Sequence, residues 1–61
     1  MINELRNISK YYHRGFISRS DAFRCIRDVL GDIPDDFAAQ VLAVSFRGSA
    51  DDIMQVVGTS R

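Results

Sequence analysis

Residues 37–46 read FAAQVLAVSF, and only Gln40 and Ser45 in this segment carry polar side chains. Because successive side chains on a helix point in directions roughly 100° apart, a helix over this segment is apolar almost all the way round. Such a helix needs cover from several sides. The segment therefore predicts either the central helix of a small bundle or one half of a subunit interface, and an all-α fold is the expected class.

Glycines and helix-start signals divide the rest of the chain. Gly15, Gly31, Gly48 and Gly58 each follow a helix-favouring stretch and are typical of helix stops. The segments SRSD at 18–21 and SADD at 49–52 fit the capping box, and IPDD at 33–36 suits a helix start with proline in its first turn. We predict a compact bundle of three to four short helices at about 3–14, 18–30, 34–47 and 49–57, in one domain (1–58) with a disordered tail (59–61).

The size of the chain limits how the fold is stabilised. Its 61 residues include one cysteine, Cys25, so no disulfide forms within the chain and no Cys/His set is present to hold a structural zinc. A chain this short buries a small core, so sharing apolar surface with a second copy would stabilise it. We expect a homodimer, and the apolar third helix supplies its predicted contact residues: Phe37, Val41, Val44 and Phe46.

The start of the chain bears on its location. The opening residues Met1-Ile2-Asn3-Glu4 show no basic segment followed by a long apolar run, which a secretory signal would require. No stretch approaches the roughly 20 apolar residues that a membrane span needs. These features predict a cytoplasmic protein with no membrane segment.

Charge is separated along the chain although the formal net charge is zero. Residues 1–27 hold six basic and two acidic residues, and residues 28–61 hold two basic and six acidic residues. Because Arg6, Lys10 and Arg14 recur at every fourth residue, they form one basic stripe on the first helix. We predict a protein-binding face made of Arg6, Lys10, Tyr11 and Arg14; the plain alternative is a solvated helix face.

Nucleic-acid binding is the competing function for a basic first helix carrying tyrosines. A helix-turn-helix over the second and third helices is disfavoured, because its reading helix would open with Asp35 and Asp36 against phosphate. Binding through the first helix alone remains open as the alternative function.

Catalytic and cofactor signals are weak. Adjacent carboxylates such as Asp35-Asp36 diverge on a helix and do not form an acid/base dyad. A Cys25–His13 nucleophile pair is possible in principle, but Cys25 lies in an apolar stretch that favours a buried structural thiol. No glycine-rich phosphate loop is present. We therefore expect no enzyme activity, no cofactor and no metal site.

Two short segments resemble known helical families. Gly15-Phe16 after the first helix resembles the loop of ubiquitin-associated three-helix domains, in which a Gly-aromatic pair and a late apolar pair, here Val41-Leu42, form a binding patch. Arg14 replaces the usual apolar residue before that glycine, and a fourth helix follows. About half of the chain also resembles the short helical-hairpin module called SHOCT, on a set of spaced positions: Leu5, Ile8, Gly15, Ile17, Ser18 and Phe23. The sequence assigns neither family.

The function predicted from these features is binding to another protein. A core this small leaves little room for a ligand pocket, whereas a strip of helix face is enough to hold a partner. Proteins of this size without a targeting signal are often regulators or inhibitors encoded by phages or mobile elements. We accordingly expect a small helical interaction module that occludes or recruits a protein partner.

Overall fold

The computed structural model describes residues 2–58, which form four helices. They are α1 (Ile2–His13), α2 (Arg19–Leu30), α3 (Asp35–Arg47) and α4 (Ala50–Gly58). The described residues contain no strand, so the predicted all-α bundle is confirmed, with every helix end within one residue of its predicted position. The predicted tail at 59–61 lies outside the described residues.

Serine caps begin two of the helices as the sequence predicts, but among the described hydrogen bonds only the second forms the complete capping box. The Ser18 hydroxyl accepts a hydrogen bond from the Asp21 backbone N–H at 3.1 Å, which satisfies one of the free amides at the start of α2. At the start of α4 the capping is reciprocal. The Asp52 N–H donates to Ser49 Oγ at 3.3 Å, and the Ser49 N–H donates to the Asp52 carboxylate at 3.1 Å.

The glycines end helices for two different reasons. Gly15 and Gly31 have φ values of 79° and 98°, which L side chains rarely adopt. Gly48 has φ −88°, open to any residue, but a Cβ there would lie 2.8 Å from the Val44 carbonyl oxygen. Space therefore requires the glycine at 48. Gly58 is the last residue of α4, so α4 runs one residue further than predicted.

Helices α1 and α3 each contact all three of the other helices, but α1 touches α4 only lightly, so α3 is the central helix. Its buried side chains meet apolar groups from all of them in one core: Leu5, Ile8, Ala22, Ile26, Ala38, Val41, Leu42 and Ile53. Ser9 of α1 is fully buried where α1 meets α3, and its hydroxyl donates a hydrogen bond to the Leu42 carbonyl at 3.0 Å. This bond joins α1 to α3 directly.

Among residues 2–58, every helix is too short or too polar to cross a bilayer.

Candidate binding groove

Arg27 in the last turn of α2 has a structural role. Its Nε donates to the Ile33 carbonyl at 3.1 Å, and its guanidinium forms an ion pair with Asp35 at the start of α3. These contacts fasten the end of α2 to the start of α3. The positive charge of Arg27 is therefore used within the chain.

The other two arginines of α2 also have partners in the chain. The guanidinium of Arg19 lies over the Phe23 ring, 5.2 Å from its centroid. The Arg24 guanidinium lies 3.8 Å from the Asp21 carboxylate, one turn earlier on the same helix. Both contacts are on the surface and are weak. All three basic residues of α2 thus have a partner within the chain.

The basic residues of the stripe, Arg6 and Lys10 of α1 and Arg14 directly after it, differ from those of α2. Arg6, Lys10 and Arg14 are exposed, and their side chains make no ion pair, hydrogen bond or ring contact with any of residues 2–58. Glu4 precedes Arg6 by two residues, which turns its side chain about 200° away around the helix. The stripe therefore presents three cations that the described part of the chain does not neutralise.

A groove runs beside this stripe, where α1 faces the end of α3. It encloses about 650 Å³ and is bordered by Arg6, Lys10, His13, Arg14, Ser45, Phe46 and Gly48. None of these residues is acidic. A groove bordered by one sign of charge concentrates the field and attracts groups of the opposite charge.

Phe46 forms the apolar part of this groove. The imidazole of His13 stacks on the Phe46 ring, with centroids 3.9 Å apart and planes at 26°. Phe46 is still 51% exposed, so contact with His13 covers only part of the ring. The exposed part is an apolar surface directly beside the basic stripe.

A second hollow shares Arg6 with this groove and lies toward the start of α1. It encloses about 450 Å³ and is bordered by Ile2, Asn3, Arg6, Ala50 and Met54. Arg6 borders both hollows, and Met54 is 48% exposed. We call the two hollows together the basic groove. It has an exposed apolar side chain toward each end and a row of cations along one edge.

Ser45 in the wall of the groove has an unusual hydroxyl. Its Oγ is buried and makes no hydrogen bond with any group that the structure describes. A buried polar group without a partner costs about 1–3 kcal/mol. The Ser45 hydroxyl therefore adds no hydrogen bond to the packing of α3 among the described residues.

The structure separates Tyr11 from the rest of the predicted partner-binding set. Arg6, Lys10 and Arg14 border the groove, but Tyr11 lies on the other flank of α1, with its ring 6.3 Å from that of Phe16. His13 and Met54 border the groove and were not among the predicted site residues. Their positions depend on how α3 and α4 cross α1, which periodicity within one helix does not reveal.

The residues predicted for self-association do not form one patch. Val41 is 1% exposed in the core, and Phe37 and Val44 are half-buried against that core. Phe46 points to the opposite side of α3 from Phe37, because the step of nine residues from one to the other makes about two and a half helical turns. Only Phe46 is largely open to solvent.

The structure also places two residue pairs that the sequence analysis considered, Val41-Leu42 and Cys25–His13. The apolar pair Val41-Leu42 is buried, so it does not form the surface patch that the ubiquitin-associated resemblance implies. Cys25 is half-buried and packs against the core, while His13 stacks on Phe46. Among residues 2–58, no group of three or more His, Cys, Asp or Glu side chains is arranged to hold a metal ion.

Comparison of the sequence with models of known protein families gives no match, and comparisons with curated proteins and with solved structures give none either.

Proposed function

We propose that this protein is a small interaction module that binds an acidic segment of a protein partner in the basic groove. One contrast carries the proposal: the arginines of α2 have partners within the chain, whereas Arg6, Lys10 and Arg14 of the basic stripe have none among the described residues. Charges that do not stabilise the fold, placed along a groove without acidic residues, are suited to an external anionic group.

The apolar side chains of the groove favour a protein over a nucleic acid. Phosphate contacts need cations but gain little from an aliphatic surface such as Met54. The chain also has no net positive charge, whereas nucleic-acid-binding domains are usually strongly basic. Binding of nucleic acid through α1 is the alternative, and stacking of bases on Phe46 is the observation that would favour it.

The expected interaction energies indicate that binding would need both the cations and the apolar side chains of the groove. Exposed ion pairs contribute about 0.2–1 kcal/mol each, so three of them alone give a weak complex. Burying a large apolar side chain adds about 1.5–3 kcal/mol when it is fully exposed beforehand, and Phe46 and Met54 are half exposed. The charges therefore supply orientation and salt dependence, and the apolar contacts supply much of the affinity.

The proposal extends to how the protein would act on its partner in the cell. Binding in the groove would cover a segment of the partner, so the protein would act as a cytoplasmic regulator or inhibitor by occluding or recruiting that partner. The homodimer expected from the sequence would use Phe46, the one residue of its set that is largely exposed. A dimer of that kind would compete with the partner for the groove.

Affinity capture from the native host with matched charge reversals tests the proposal. Lys10→Glu and Arg24→Glu change the net charge equally, but only Lys10 borders the groove. We expect the wild type and Arg24→Glu to capture the same protein and Lys10→Glu to lose most of it. Equal capture by both variants would refute the assigned face, and loss of capture after nuclease treatment would favour nucleic acid.

A further inference from the structure

We propose that the segment bound in the basic groove is a single amphipathic helix of about three turns, with acidic side chains at every fourth residue along one flank. This inference rests on the proposed function and adds the conformation and sequence pattern of the bound segment. Three observations carry it: the spacing of the cations, the positions of the exposed apolar side chains, and the all-helical walls of the groove.

The spacing of the cations matches a second helix lying alongside α1. Since a helix rises about 1.5 Å per residue, Arg6, Lys10 and Arg14 stand about 6 Å apart along α1 and span about 12 Å. A partner helix with acids four residues apart has the same rise between its charges. Each acid then meets one cation without stretching either chain.

The apolar side chains fix a second spacing on the partner. Phe46 stacks on His13 near the end of α1, whereas Met54 borders the hollow near Ile2 and Asn3. Measured along α1, the position of Phe46 near His13 and that of Met54 near Asn3 are about ten residues apart, or about 15 Å between Cα atoms. Apolar side chains ten to eleven residues apart on a partner helix, about 15–17 Å, would match this separation.

The walls of the groove disfavour an extended segment. An extended peptide is normally held by backbone hydrogen bonds to the edge of a sheet, and residues 2–58 contain no strand. Its N–H and C=O groups would instead face Phe46 and Met54 and lose their bonds to water, which is costly. A helix satisfies its own backbone groups and presents only side chains to the groove.

Synthetic peptides test the pattern, with binding to the full chain measured by fluorescence anisotropy. The first is an alanine-rich peptide of about fourteen residues with glutamate at its third, seventh and eleventh positions and leucine at its first, fifth, eighth and twelfth. The second has the same composition with the glutamates adjacent to one another. The third repeats the first with proline at its centre.

We expect the first peptide to bind at least about tenfold more tightly than the other two and to gain helix on binding. Binding should weaken about tenfold in Lys10→Glu and fall in Met54→Ala, but not in Arg24→Glu. Equal binding of all three peptides, still sensitive to Lys10→Glu, would refute the helical pattern and leave the proposed function standing. Absence of binding by the first peptide would also refute the pattern, while host capture that fails to discriminate Lys10→Glu from Arg24→Glu would refute the function itself.

Discussion

Two buried serines, Ser9 in α1 and Ser45 in α3, predict different responses to the same substitution. Ser9 and Ser45 are 0% and 5% exposed, and both lie within helices. Ser9 donates a hydrogen bond to the Leu42 carbonyl at 3.0 Å, whereas the Ser45 hydroxyl has no partner among the described residues. Replacing each by alanine removes one oxygen atom in both cases, but only Ser9→Ala removes a bond.

The size of the difference follows from those contacts. Loss of a buried hydrogen bond costs about 0.5–1.5 kcal/mol, whereas removal of an unpaired buried hydroxyl is neutral or favourable. The gain in helix propensity from serine to alanine is at most about 0.7 kcal/mol and is common to both variants, so it cancels in their comparison. We expect Ser45→Ala to be more stable than Ser9→Ala by about 1 kcal/mol or more, which for a domain of this size is about 4–8 °C in Tm.

Thermal and urea unfolding followed by far-ultraviolet circular dichroism measures this difference. Ser45→Ala should melt at or above the wild-type temperature, and Ser9→Ala should melt below Ser45→Ala. If Ser45→Ala is no more stable than Ser9→Ala, the hydrogen bond from Ser9 to the Leu42 carbonyl does not stabilise the fold as its geometry indicates.

Three further substitutions test separate parts of the structure. Gly48→Ala places a Cβ 2.8 Å from the Val44 carbonyl oxygen, so it should lower the free energy of unfolding by about 1–3 kcal/mol, and wild-type stability in urea would contradict that steric reason. Ser49→Ala removes the cap of α4 and should cost about 1 kcal/mol; an unchanged melting temperature would show that the capping box contributes nothing. If the protein is a homodimer, it should sediment at twice the 6.9 kDa chain mass, and Phe46→Ser should return it to the monomer. A wild-type protein that sediments as a monomer at micromolar concentration would refute the homodimer.

The helices could be predicted because their signals are local. Gly15 and Gly31 end helices through their own backbone conformation, and Ser18 and Ser49 begin helices through bonds that reach only three residues ahead. Such signals are complete within a few positions of sequence. The apolar segment at 37–46 likewise predicts a helix that needs neighbours, and α3 is the central helix of the bundle.

The groove could be predicted only in part because it joins residues that are distant in sequence. The four-residue spacing of Arg6, Lys10 and Arg14 places them on one stripe, but nothing within α1 indicates that Phe46 lies beside it. That contact depends on the crossing of α1 and α3, which the bond between Ser9 and Leu42, 33 residues apart, helps to hold. Tyr11 is a different case, because helix geometry alone turns it about 100° away from the adjacent Lys10, and it lies on the other flank of α1.

Mapping of backbone amide shifts by nuclear magnetic resonance locates the binding surface without knowledge of the natural partner. The protein is titrated with the peptide that carries glutamate at every fourth position, at low and at moderate salt. The basic groove predicts shifts concentrated at Arg6, Lys10, Gly48 and Met54 that diminish as salt rises. Shifts confined to Tyr11 and Phe16, or spread evenly over residues 2–58, would contradict the assignment of the basic groove as the binding surface.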